Sequence, residues 1–438
     1  MNLEKWKIKN KKSRNYSHFD SRVYLDKVWD YIKDPNKIKR HGFYPFIHYT
    51  QSFKRYSKHT GIKKKNREIC YSAHLDRFIY SYYSYQLNNY YNNRVKIDGI
   101  NDSAIAYRDN IQLNNIHFAK KAIDFIRQKE ECYIIIGDFT KFFDSLDHTY
   151  LKKMLCSLLE VEKFPDDFYA VFKNITKFST WDMESLLNIN NLKNNPKDII
   201  KFKQLKKAIS PEQYKKYKKL YIKKNSNNYG IPQGSAISAV LSNVYMLEFD
   251  KKIKTYVSEK NGLYMRYSDD FIVILPKITL EDFKEDLIYI ETVIKSVPKL
   301  QLEQDKTQLF AYSNKIIRSC NEEFLENVKN GKPFMNYLGF TFDGQDVTLR
   351  DKTVSKYYYR LYRKIKTIIK NNGVTKKGKR ISSKNVYLKY SIKGSKKGKG
   401  NFITYVKRVE QIFSNEKGVA QISRKHMQKI RKQLNKIK

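Results

Sequence analysis

Acidic residues are scarce in this chain. Asp and Glu total 44 against 87 Lys and Arg, a formal net charge of +43. A skewed base composition raises lysine, but it does not by itself halve the acids. Such an excess repels itself unless a polyanion is bound, so nucleic acid is the expected partner. Cysteine is rarer still. Cys70, Cys132, Cys156 and Cys320 are scattered, with no C-x-x-C pair. This excludes a zinc module and a disulfide framework. The eight histidines show no ligand-like clustering. No apolar run approaches the roughly 18 residues that a membrane helix needs. The start "MNLEKWKIKN" lacks a signal-peptide pattern. No membrane partner is expected, and the expected location is cytoplasmic. No internal repeat is visible.

What is present suits a large folded protein. Hydrophobic residues make up 41% of 438 residues, enough for sizeable cores in roughly two to four units. Residues 1–60 are basic and aromatic, with weak periodicity, and read as an extension. Apolar residues at helical spacing predict a helix from about 74 and another over 116–130. "CYIIIGDFTKFF" (132–143) begins as a strand broken at Gly137-Asp138, and a helix returns over 147–159. Residues 160–228 are rich in Lys and Asn and read as a peripheral insert. "YGIPQGSAISAVLSNVYM" (229–246) is a Gly/Pro turn leading into a long helix. "GLYMRYSDDFIVIL" (262–275) reads as a hairpin and 280–297 as a helix. Residues 300–312 and 335–350 read as strands, and basic helices follow from 351. A Gly/Lys linker, "KGSKKGKGN", interrupts those helices. The order β–α…α–β–β–α–β is that of a split βαβ, ferredoxin-like sheet. It sets Asp138 at one strand end and Asp269-Asp270 at a neighbouring hairpin tip.

Ser and Asp form turns, so "SDD" alone reads equally well as a solvated tip. Carboxylates arriving from two adjacent strands, however, supply the hard oxygens that magnesium takes. Two such ions can clamp the attacking and leaving oxygens of a phosphoryl transfer.

"GDFTKFFDSLDH" (137–148), "YGIPQGSAISAVLSNVYM" (229–246), "YSDD" (267–270), "LEQDKT" (302–307) and "YLGF" (337–340) occur in this order. Together they resemble the successive motifs of bacterial reverse transcriptases, the branch that includes group II intron, retron and defence-associated enzymes. The resemblance covers roughly residues 60–345. It implies an α+β right-hand polymerase: fingers over 61–130, a ferredoxin-like palm over 131–345 with the insert at 160–228, and a basic helical thumb over 346–438.

By that resemblance Asp138 and Asp269 are metal-binding carboxylates, with Phe139 beside them and Asp270 as a third acid supporting the site. The implied cofactor is two Mg2+ ions, with Mn2+ as a substitute. Phe143 stands where the family has its gate against a nucleotide 2′-hydroxyl. Gln233 and Gly234 match the turn under the incoming base pair. Lys65 and Arg67 match the fingers cations that grip the triphosphate, and Lys306 the lysine that meets the pyrophosphate. Arg108 matches a second fingers motif, and Tyr337, Leu338 and Gly339 the primer grip. Where many relatives have Ser-Pro, this chain has Ser238-Ala239.

The expected activity is RNA-directed DNA synthesis from dNTPs, with an RNA template and a DNA primer or product as partners. No RNase H carboxylate cluster or HNH-type Cys/His module is visible, so other factors are expected to remove RNA or cut DNA. The retron signatures Asn-Ala-x-x-His and Val-Thr-Gly are also missing. The nearest likeness is to compact defence-associated enzymes acting against phages, often with a dedicated noncoding RNA. A homo-oligomer or an accessory defence protein is a further expected partner. Template-independent or protein-primed synthesis stays open, with 35 tyrosines offering priming hydroxyls. So do a group II intron or retron-type enzyme and an inactive nucleic-acid-binding scaffold.

Overall fold

The computed structural model describes residues 2–12, 14–57, 61–108, 110–277, 279–325, 331–371, 373–374, 384–395 and 400–435. Part of the expected Gly/Lys linker, residues 396–399, lies outside them.

The strands β1 (Phe46–Ser57) and β2 (Gly61–Tyr71) form a long antiparallel hairpin, paired from Ile47↔Tyr71 to Ser57↔Gly61. The division expected near residue 60 therefore falls inside one hairpin. The start of the chain is not a loose extension. Helix Leu3–Asn10 buries Trp6 against Trp29, Tyr82 and Tyr85. Helix His74–Ile97 follows β2 and buries Phe78, Tyr83, Leu87, Tyr91 and Val95, the i, i+4 stripe that the sequence predicts. Helix Asn115–Lys129 starts on an Asn114 capping box.

The strand β3 (Cys132–Asp138) is buried along nearly its whole length. The insert then departs from expectation. Its strands β4 (Ser179–Asp182) and β5 (Lys223–Lys224) extend the first sheet, with β4 parallel to β1, in the order β2-β1-β4-β5. Trp181 on β4 is fully enclosed among Phe19, Tyr214 and Tyr221. The insert thus shares a core with the beginning of the chain and is not peripheral.

Helices Ser238–Tyr245 and Leu247–Glu259 lead into β6 (Leu263–Tyr267) and β7 (Asp270–Pro276). Helix Leu280–Ser296 returns the chain to β8 (Gln308–Ser313) and β9 (Ile316–Ser319). These strands and β3 make a five-stranded sheet in the order β6-β7-β3-β8-β9. Its first four strands have the ferredoxin-like arrangement that the order of elements predicts. Both faces are covered. Ile134, Ile136, Ile272 and Ile274 pack in one core, and Tyr133, Ile135, Phe271 and Val273 in another, which explains why these strands read as continuous apolar runs.

Three short strands, β10 (Met335–Tyr337), β11 (Phe340–Phe342) and β12 (Val347–Leu349), form a separate antiparallel sheet. Basic helices follow, among them Asp351–Lys370 and Lys417–Leu434. No helix among the described residues is long and apolar enough to cross a membrane.

Candidate active site

The register of the five-stranded sheet builds the site. β3 pairs with β7 so that Asp138 lies opposite Asp270. β6 and β7 close on the pair Tyr267↔Asp270, leaving Ser268 and Asp269 as the turn. Ser268 has φ +64°, which a two-residue hairpin turn requires. The Phe139 amide donates to the Asp269 carbonyl at 3.1 Å, locking the turn to the end of β3. Three carboxylates therefore meet at one sheet end.

Their electrostatics follow from that crowding. Burial raises the Asp270 pKa to about 7, helped by the charges of Asp269 and Asp138 and a hydrogen bond with Asp138; Lys306 opposes the rise. The Lys306 ammonium donates to Asp138 Oδ1 at 2.7 Å. It is placed by the short turn Gln304–Lys306, where the Glu303 amide donates to the Asp138 carbonyl at 2.8 Å. "LEQDKT" thus folds back onto the first carboxylate. The uncompensated negative charge and hard oxygens fit a divalent cation such as magnesium. Among the described residues no three His, Cys, Asp or Glu side chains converge as they stand, and Asp138 is turned towards Lys306. The Phe139 ring is buried and stacks on Phe271 at 5.3 Å, so only its carbonyl can contribute an oxygen.

Beside the carboxylates, the helix Phe142–Ser145 settles which of two adjacent rings faces inward. Phe142 is buried, whereas Phe143 is half-buried. The Phe143 carbonyl accepts from the Ile231 amide at 2.9 Å, joining this turn to the Gly/Pro turn. The Gln233 carbonyl accepts from the Cys70 amide at 2.8 Å, and its side-chain amide donates to the Asp144 carboxylate at 3.3 Å. Burial raises the Asp144 pKa, while the Gln233 hydrogen bond opposes the rise. Gly234 has φ +114°, and a Cβ there would meet the Cys70 carbonyl oxygen at 2.4 Å. Both conditions exclude a side chain. The Ser238 hydroxyl donates to the Pro232 carbonyl at 2.7 Å, pinning the turn to the helix after it.

A cavity of about 350 Å3 lies beside Gly234 and Ala236, walled by Lys9, Arg14, Tyr71 and Arg77, and none of its lining residues is acidic. The Arg77 Nε and Nη2 are buried in it without a hydrogen-bond partner among the described residues. The sequence reading missed Arg77; its signal was a lone arginine on the otherwise apolar and aromatic face of a helix.

The other expected residues divide. Arg67 is exposed on β2, with its guanidinium 5.7 Å from the Phe53 ring centre. Lys65 is on the same strand, opposite Phe53; its side chain lies outside the described residues. Arg108 is corrected. It is buried, and its guanidinium donates to Asn92 Oδ1 at 2.9 Å, Asn101 Oδ1 at 2.6 Å and the Ala104 carbonyl at 3.2 Å. It braces a loop and faces no nucleic acid.

Leu338 and Gly339, at φ +45° and +95°, form the turn between β10 and β11. Asn115 donates to the Leu338 carbonyl at 2.9 Å. Tyr337 points the other way. Its ring is buried, its hydroxyl has no partner among the described residues, and burial with the Asp270 charge raises its pKa. It lies beneath the carboxylates, not on a surface that a primer could touch.

Residues 57–342, well over half of the chain, match the family model "Reverse transcriptase (RNA-dependent DNA polymerase)". No curated protein matches the chain. Among solved structures, truncated apo telomerase from Candida tropicalis is 13% identical over 77% of this chain and 63% of that one, with a TM-score of 0.41. Telomerase from Candida albicans, solved with a fragment of telomeric RNA, is 15% identical over 94% and 61%, also at 0.41. The chain therefore spans about three fifths of the length of those two. On the family match and the mixed α+β architecture around the carboxylate-bearing sheet, this chain belongs to the reverse transcriptase family, with a right-hand polymerase fold.

Proposed function

We propose that the chain is an RNA-directed DNA polymerase, extending a primer 3′-hydroxyl with dNTPs on an RNA template. The observation that carries this reading is the β3–β7 register, which sets Asp138 against Asp270 with Asp269 in the adjoining turn. Asp138 and Asp269, with the Phe139 carbonyl, hold magnesium, or manganese in its place, and Asp270 supports them. Such ions, when bound, supply the Lewis acidity for attack of the 3′-hydroxyl on the α-phosphate and for departure of pyrophosphate.

The chain's own groups orient the reactants. The Lys306 ammonium, now on Asp138, is free to turn to the pyrophosphate once that carboxylate is neutralised. Arg67 and Lys65 grip the triphosphate, where a planar guanidinium gives two parallel hydrogen bonds. The half-buried Phe143 ring excludes a 2′-hydroxyl by steric clash. Gln233, held by Asp144 and Cys70, borders the new base pair. Template phosphates pass the acid-free cavity at Arg77. In this reading the β2-β1-β4-β5 sheet belongs to the fingers and the five-stranded sheet is the palm. The helix Asp351–Lys370, with Lys356, Arg360 and Arg363 exposed, belongs to the thumb.

The biological setting we propose is antiphage defence in the cytoplasm with a noncoding RNA as template, supported by the likeness of the motifs to compact defence enzymes. The test is to purify the chain with its bound RNA, supply dNTPs and magnesium, and sequence the product. A complement of the co-purified RNA is expected. A homopolymer or a random sequence overturns templated synthesis in favour of untemplated or protein-primed synthesis.

A further inference from the structure

Arg266 lies one turn-length before the paired aspartates and is completely enclosed, as is Asp250 on the helix Leu247–Glu259. The Arg266 guanidinium grips Asp250 with both arms of its fork, Nε to Oδ1 at 2.8 Å and Nη2 to Oδ2 at 2.7 Å. The third arm, Nη1, donates to the Ser268 carbonyl at 2.8 Å. The Tyr264 hydroxyl donates to Asp250 Oδ1 at 2.6 Å. Asn243 accepts from Arg266 Nη2 at 3.4 Å and donates to the Ala106 carbonyl at 2.9 Å. The Arg266 backbone is tied to the same loop, accepting from the Ile105 amide at 3.0 Å and donating to the Ser103 carbonyl at 2.8 Å.

A buried ion pair is a poor source of stability, because well-packed apolar replacements commonly do as well or better. The direction of the third arm supplies another reason for this one. Ser268 is 3% exposed and stands in the left-handed region, a conformation that non-glycine residues hold only when their surroundings enforce it. The Ser268 carbonyl belongs to the peptide group that carries Asp269. Fixing that peptide fixes where the Asp269 carboxylate points.

We propose that Arg266, oriented by Asp250, is a positioning residue that aims Asp269 and so sets the affinity of the carboxylate site for divalent cations. This inference rests on the polymerase reading above. A planar fork is needed, since it must serve a carboxylate and a carbonyl at once, and a lysine ammonium cannot reproduce that geometry.

The test titrates Mn2+ into the full chain and follows free Mn2+ by electron paramagnetic resonance, with RNA affinity and melting temperature measured in parallel. The triple variant Arg266→Met, Asp250→Leu, Tyr264→Phe removes every charged or hydroxyl group of the brace and leaves none of them buried alone. It is expected to melt no lower than the wild type and to bind RNA equally, yet to bind Mn2+ about 10–100-fold more weakly, the usual cost of losing a group that orients a ligand. Arg266→Lys, which keeps the charge pair, is expected to show the same Mn2+ loss. Wild-type Mn2+ affinity in the folded triple variant overturns the proposal and leaves the pair merely structural. Should the triple variant not fold, wild-type Mn2+ affinity in Arg266→Lys overturns it equally. A failure of the polymerase reading appears elsewhere: wild-type chain would then bind Mn2+ no better than Asp269→Asn, Asp270→Asn, and both conclusions fall.

Discussion

Three carboxylates share one sheet end, and Asp270 bears much of the repulsion. Its pKa, raised to about 7 by burial, Asp269 and Asp138, means that the folded chain holds this proton more tightly than the unfolded chain. That contribution favours folding at low pH and is lost as pH rises through about 7. Without divalent cations, Asp270→Asn is therefore predicted to melt above the wild type at pH 8 and close to it at pH 5; thermal denaturation in EDTA checks this, and equal melting at pH 8 contradicts it. The half-buried Phe143 leads to a second expectation. Phe143→Ala should lower the preference for dNTP over rNTP by about 10–100-fold, measured as a ratio of kcat/KM values. The acids and Phe143 were legible because they lie within short ordered motifs. Arg266 and Asp250 were not, since 16 residues separate them and a single arginine in a strand does not name its partner. Arg108 misled for the opposite reason. A basic residue in a motif reads as a phosphate ligand until its burial is known.

At the scale of elements, the Gly/Pro turn is where the first sheet meets the palm. The Cys70 amide at the end of β2 donates to Gln233, and the Cys70 carbonyl sits where a Gly234 side chain would have to go. Gly234→Ala must displace backbone as well as adopt φ +114°. A loss of about 1–3 kcal/mol is predicted from chemical denaturation, with nucleotide incorporation falling as the turn shifts. An unchanged midpoint and rate would contradict the contact. The helices and the five-stranded sheet were readable from periodicity because each has a face buried in a core. The β1–β2 hairpin was not. Its tip is dense in Lys and Arg, with "KRYSKHTGIKKKN" running across it, so the alternation that marks a half-buried strand is missing. The insert was misjudged because its Lys and Asn content hides one decisive residue, Trp181. The partners of Trp181 lie far away in the chain, at Phe19 and Tyr214.

For the whole molecule, charge and chemistry are separated. A net charge of +43 spreads affinity for nucleic acid over many lysines and arginines, so no single side chain should decide whether RNA binds. The chemistry, by contrast, is concentrated on the few oxygens at the end of β3 and β7. The most direct measurement is primer extension by the full chain carrying Asp269→Asn and Asp270→Asn, with RNA affinity measured on the same preparation. Loss of dNTP incorporation with RNA binding at or above the wild-type level is predicted. Wild-type-like polymerisation by that double variant would show that the carboxylates at this sheet end are not the active centre.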